Sequence, residues 1–194
     1  MDGKVLFINA CIRKNDSRTI CIASKIIEEL SKRYFIEEVD LVATSLQPID
    51  VNSYANRSSG KYEPAAIEYA KKFAEANRVV IAAPFWDMSF PSILKVFFEN
   101  ISINGITFSD TDDGSTKGLC SVSKIMLITT RGMEIEDECP LDQASSYIRS
   151  LCWLWGIPEY SVVSAIGMDM CDEKTRMQRL EAAINRGLKA CEEF

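Results

Sequence analysis

Short apolar runs alternate along this chain with longer segments in which apolar positions recur every three or four residues. Lys4–Asn9 (KVLFIN) and Arg78–Ala83 (RVVIAA) have the length and near-continuous apolarity of parallel strands buried on both faces. Phe35–Leu41, Lys124–Thr130 and Glu159–Ile166 complete a set of five strands. Between them, Ile20, Ala23, Ile27 and Leu30 recur at helical spacing, with Asp16 or Ser17 available as N-cap. Pro64–Ala76, Pro91–Ile101 and Leu141–Trp155 also read as helices, and a final helix places Met177, Leu180, Ile184, Leu188 and Cys191 on one face. Residues 42–60 read as a polar loop. Five β-α units predict an α/β fold with a parallel sheet and helices on both faces. No repeat or linker divides the 194 residues, so one domain over 1–194 is expected, with an irregular insert at about 102–122. In that insert two strand-like pieces flank a Gly-rich turn. The helix Pro91–Ile101 is apolar at 93, 94, 96, 97, 98 and 101, more than one stripe requires, and with the neighbouring insert it reads as a homodimer interface.

Composition narrows the chemistry mainly by what is missing. Histidine is absent, which removes Ser-His-Asp and Cys-His catalysis and any histidine-ligated metal. The seven cysteines contain no C-x-x-C pair, so they read as reduced, mostly packed thiols rather than as a metal site or a redox dithiol. A net charge of −6 argues against a nucleic-acid partner. The longest apolar stretch, Val79–Trp86, is too short to span a bilayer, and no signal peptide is apparent, which together point to the cytoplasm.

Ligands of open α/β sheets bind outside the carboxyl ends of the strands, and three loops emerge there. The first, residues 10–19, carries Ser17, Arg18 and Thr19 at a helix start, a set suited to one phosphate monoester. It has no glycine, which excludes the dinucleotide fingerprint and the Walker loop. A capped helix with solvated cations fits it as well. Low-molecular-weight tyrosine phosphatases place five residues between cysteine and arginine; here six separate Cys11 from Arg18, and the chain has no Asp-Pro acid. The second loop, PFWDMSFP (84–91), suits the wall of a planar ring, or a local apolar plug. In the third, TTRGMEIEDE (129–138), Gly132 allows backbone N–H groups to approach a ring carbonyl and Arg131 can complement its charge; a surface turn is the plain alternative. A phosphate at one end and a flat ring at the other describe a mononucleotide such as FMN.

Over nearly its whole length the chain resembles the FMN-dependent NAD(P)H azoreductases and quinone reductases of flavodoxin-like fold. The match rests on SRT (17–19), PFWDMSFPSILKVFFENISINGITF (84–108), GSTKGL (114–119), ITTRGM (128–133), YIRSLCWLWGI (147–157) and SAIGM (164–168). The resemblance implies a three-layer sandwich around a sheet of order 2-1-3-4-5. It places Cys11 beside the FMN phosphate, with Ser17, Arg18 and Thr19 as its grip. Phe85, Trp86, Asp87 and Met88 line the isoalloxazine, and Thr130, Arg131, Gly132 and Met133 face its pyrimidine end. Phe108 falls where relatives place an aromatic from the partner subunit over the flavin. Relatives often carry serine at Cys11, asparagine at Asp87 and glycine at Met133.

The implied activity is two-electron reduction of a quinone, azo or nitroaromatic compound by NADH or NADPH through FMN. The flavin carries the chemistry, so no side chain is required as acid or base. Two other readings stay open: a flavin reductase releasing reduced FMN, and a flavodoxin-like electron carrier.

Overall fold

The computed structural model describes residues 2–194, with the backbone alone at Asn15. Five parallel strands form the main sheet: β1 (Lys4–Asn9), β2 (Phe35–Asp40), β3 (Arg78–Ala82), β6 (Lys124–Thr130) and β7 (Glu159–Ala165). Their spatial order is β2-β1-β3-β6-β7, which is 2-1-3-4-5 once the short hairpin strands β4 (Phe108–Asp110) and β5 (Thr116–Gly118) are left out of the count. That hairpin is antiparallel, pairing Phe108 with Gly118 and Asp110 with Thr116, and it occupies the segment read as an insert.

Alternate residues of the central strands serve opposite layers, as a period of two requires. Leu6, Ile8, Val79, Ile81, Ile125 and Leu127 pack toward α3 (Pro64–Ala74), α4 (Ser92–Ile101) and α5 (Gln143–Trp155). Val5, Phe7, Val80, Ala82, Met126 and Ile128 pack toward α1 (Arg18–Leu30) and α6 (Glu173–Glu192). Both faces are covered, which is why these strands read as unbroken apolar runs rather than as alternating ones.

Two sequence readings change. Residues 42–60 are not a loop throughout: α2 spans Val51–Ser58 and opens with a reciprocal capping box between Asp50 and Ser53. Its residues include no buried position, so no apolar period announced it, and the cap supplies the start signal instead. The apolar surplus of α4 is largely absorbed inside the chain. Leu94, Phe97, Phe98 and Ile101 are buried, while Ile93 and Val96 are partly covered. Phe98 packs edge-on to Trp155 at 5.5 Å and to Phe90 at 5.9 Å between ring centroids. This aromatic cluster consumes the width that suggested an exposed patch.

The hairpin docks on the end of α5 at a point where backbone meets backbone. A Cβ added at Gly118 would collide with the Gly156 nitrogen and the Trp155 carbonyl carbon, neither of which can rotate away. Gly156 itself sits at φ 75° and ends α5 in the left-handed conformation that glycine adopts without strain. Gly118→Ala is therefore expected to destabilise the fold by about 3 kcal/mol, at the upper end of overpacking costs, read as a lower denaturation midpoint with an unchanged m-value.

Candidate active site

Strand order reverses between β1 and β3, the place where open α/β sheets bind ligands. A cavity of about 210 Å³ lies at the carboxyl ends there, lined by Arg13, Ser17, Arg18, Pro84, Phe85, Trp86, Thr130, Gly132 and Asp169. The three loops singled out in the sequence all contribute. Six of the twelve residues assigned to the cofactor line it: Ser17, Arg18, Phe85, Trp86, Thr130 and Gly132. Arg13, Pro84 and Asp169 were not singled out. Arg13 belongs to the first loop and Pro84 to the second. Asp169 lies one residue beyond the matched stretch SAIGM, and its only signal is an acid at a strand's carboxyl end.

The phosphate end is built by the start of α1. A turn of 3₁₀ helix at Lys14–Asp16 leads into Ser17 at the N-cap position. The Ser17 side chain makes no capping hydrogen bond, although serine usually does at this position. Among the described residues, nothing accepts from the amides of Arg18, Thr19 and Ile20, and the first turn holds no acidic side chain. Ser17 and Arg18 line the cavity, so the positive end of the helix dipole, with its three free N–H donors, lies beside it together with the cations Arg13 and Arg18.

Thr19 and Cys11 take no direct part in that lining. The Thr19 side chain is fully buried, and its hydroxyl pairs with that of Thr130 at 2.7 Å, joining the phosphate loop to the third loop. Cys11 is buried, with Sγ 3.6 Å from the Ala82 carbonyl oxygen. Burial pushes its thiol up to about 11, although a hydrogen bond with Ser17 works the other way. A thiol that stays protonated at neutral pH is not the nucleophile a phosphatase needs.

Arg131 requires a correction. Its guanidinium is completely buried and turned away from the cavity. Nη1 donates to the Ile135 carbonyl oxygen at 2.8 Å, and Nη2 pairs with Asp142 and Asp137, both at 2.8 Å. The group also lies over the Phe85 ring, 4.9 Å from its centroid. Arg131 is an internal strut that fixes the Phe85 wall, so it does not offer charge to a ring. Asp142, the residue it holds, is the N-cap of α5 and accepts from the Ser145 and Glu138 amides.

Gly132 and Met133 supply donors instead. Their amides donate to no described residue, while their carbonyls accept from Asp169 and Gly167. The ladder between β6 and β7 thereby continues into the loops 131–133 and 167–169. A Cβ at Gly132 would meet the Asp169 carboxylate, which would have to swing aside. The second loop is a tight turn closed by reciprocal hydrogen bonds between Trp86 and Ser89. Asp87 and Met88 occupy its centre at φ 47° and 66°, a left-handed pair seldom formed without glycine. This holds Trp86 half exposed at the cavity wall, while Asp87 and Met88 are not among the residues that line it. Met133 is exposed outside it, and Phe108 stands on β4 rather than among the lining residues.

The donor set fits FMN: unpartnered amides and a hydroxyl at one end, an aromatic wall, and two free peptide donors at the other end.

The family profile described as flavodoxin-like fold matches residues 3–189. The FMN-dependent NADH:quinone oxidoreductase of Lachnoclostridium phytofermentans is 32% identical over 198 residues, covering 98% of this chain and 99% of that protein. A protein of the same name from Coprothermobacter proteolyticus is 31% identical over 204 residues, covering 99% and 100%. Among solved structures, the FMN-dependent NADH-azoreductase of Bacillus anthracis str. Ames Ancestor, crystallised in complex with FMN, superimposes with a TM-score of 0.84. It is 22% identical and covers 98% of each chain, a likeness that shows the fold. The chain belongs to the flavodoxin-like family that includes the FMN-dependent NADH:quinone oxidoreductases.

Proposed function

We infer that this chain is an FMN-dependent NADH:quinone oxidoreductase that also accepts azo compounds. The observation that carries the reading is the bare N-terminus of α1, opening at Ser17 and Arg18 into a cavity that is also lined by Gly132, whose amide is free. Bound FMN supplies hydride and electron-pair chemistry. The chain binds and orients it: Ser17 and the first-turn amides hold the phosphate, Phe85 and Trp86 flank the ring, and Gly132 and Met133 donate to its polar edge. With no histidine in the chain, no imidazole relay takes part.

Phe108 acts, on this reading, from a second copy, covering the ring from outside the cavity that its own chain forms. The sulfurs of all seven cysteines are unpaired in the fold, which suits a reducing cytoplasm. No helix among the described residues is long and apolar enough to cross a membrane.

Anaerobic mixing of the FMN-loaded protein with NADH is expected to bleach the flavin, and a quinone or azo dye to restore its colour. Initial-rate plots should be parallel, since donor and acceptor would use the same site in turn. Stopped-flow traces with no reduction by NADH or NADPH would overturn the enzyme and leave the electron carrier.

A further inference from the structure

Arg18 and Asp169 form an ion pair across the mouth of the cavity, and nothing in the function inferred above makes use of it. Arg18 Nη2 lies 2.6 Å from Asp169 Oδ1, and Nη1 donates to the Met168 carbonyl oxygen at 2.9 Å. Arg18 is the first residue of α1, at the phosphate end. Asp169 belongs to the opposite wall, where its amide donates to the Gly132 carbonyl oxygen at 3.1 Å. Asp169 is thus anchored through its backbone, and its carboxylate occupies the space left by the missing side chain of Gly132. The pair is open to water, with the two side chains 32% and 60% exposed, so it is weak enough to yield to a stronger anion.

We propose that Asp169 is a specificity-determining residue that competes with the FMN phosphate for Arg18 and so sets how tightly this protein retains its cofactor. In the empty protein the carboxylate serves as the arginine's counter-anion. A phosphate at the α1 terminus, bearing up to two charges beside the helix dipole, draws the guanidinium away from it. Retention is then lower than the donor set alone would give, and it depends on phosphate rather than on the ring.

This rests on FMN occupying the cavity, and titration can separate the two claims. Quenching of flavin fluorescence should be followed with FMN and with riboflavin, which lacks phosphate. Asp169→Asn is expected to tighten FMN about two- to fivefold, the range of an exposed ion pair, and to leave riboflavin unchanged. Asp169→Glu should restore the parent value. In an Arg18→Gln background, Asp169→Asn should have no effect on FMN. If FMN binds the parent but Asp169→Asn weakens or does not change it, the competition is refuted while the cofactor site stands. Loss that is equal for FMN and riboflavin would make Asp169 a structural contact and likewise refute it. Absence of FMN binding by the parent would refute the cofactor site and this inference together.

Discussion

Arg131→Met is expected to be the most damaging single change near the site, costing about 3–5 kcal/mol because it leaves a buried carboxylate without its partner. The Arg131 and Asp142 side chains are both fully buried. For a domain of this size that is roughly 6–20 °C of melting temperature. Adding Asp142→Asn should recover much of the loss, since asparagine can still cap α5 while carrying no charge. Acid sensitivity gives an independent check. Burial pushes the Asp142 carboxyl up, but hydrogen bonds from Ser145 and Glu138, helped by Arg131, outweigh it and hold the group below the usual carboxylate range. A carboxylate with a depressed value stabilises the fold above the unfolded-state value of about 3.9 and loses that contribution as pH falls through the folded-state value. Chemical denaturation between neutral pH and pH 3 should show a steeper loss in the parent than in the doubly substituted protein.

Ser17→Ala is expected to weaken FMN binding by about 1.5–3 kcal/mol, or roughly 10- to 150-fold, through loss of one hydroxyl donor to a charged phosphate. Riboflavin should bind both proteins equally, and the fold should lose little, because the Ser17 side chain makes no capping bond and forfeits only its weak contact with the Cys11 thiol. Thr19→Ala is a contrasting control. Its hydroxyl is committed to Thr130, so the substitution should lower stability by about 1 kcal/mol without singling out FMN over riboflavin. A Ser17→Ala protein that kept full FMN affinity in a fluorescence titration would remove the phosphate from this end of the cavity.

The sheet was legible because strands covered on both faces leave a continuous apolar signature, as KVLFIN and RVVIAA do. Helix α2 was not, since none of its residues is buried and its start signal lies in the Asp50–Ser53 cap rather than in any periodicity. The positions of the site loops were readable from topology, but the direction of each side chain was not. Arg131 stands at a strand end like a ligand-binding cation. Only the fold brings Asp142, eleven residues on, into the interior to claim it. Thr19 stands at a helix start like a phosphate donor for the same reason, although its partner Thr130 lies on a strand 111 residues away. Asp169 carries only the signal of an acid past a strand end; the fold alone sets it opposite Gly132 and beside Arg18. The apolar surplus of α4 was read as an interface because a sequence does not state how wide a core is. The cluster of Phe90, Phe98 and Trp155 shows that this one is wide enough to absorb it.

With the FMN phosphate capping the first turn of α1, as inferred above, the lifetime of the protein would follow the supply of its cofactor. A helix whose cap is delivered by a bound anion is completed only on loading, so cofactor occupancy and folding share one free energy. Ligand at a hundred times its dissociation constant adds about 2.7 kcal/mol to the folded state, a large share of the 5–15 kcal/mol that holds ordinary domains together. Chains made when flavin is scarce would open more often around residues 11–20. Proteases would then clear them first, leaving a pool enriched in chains ready to turn over.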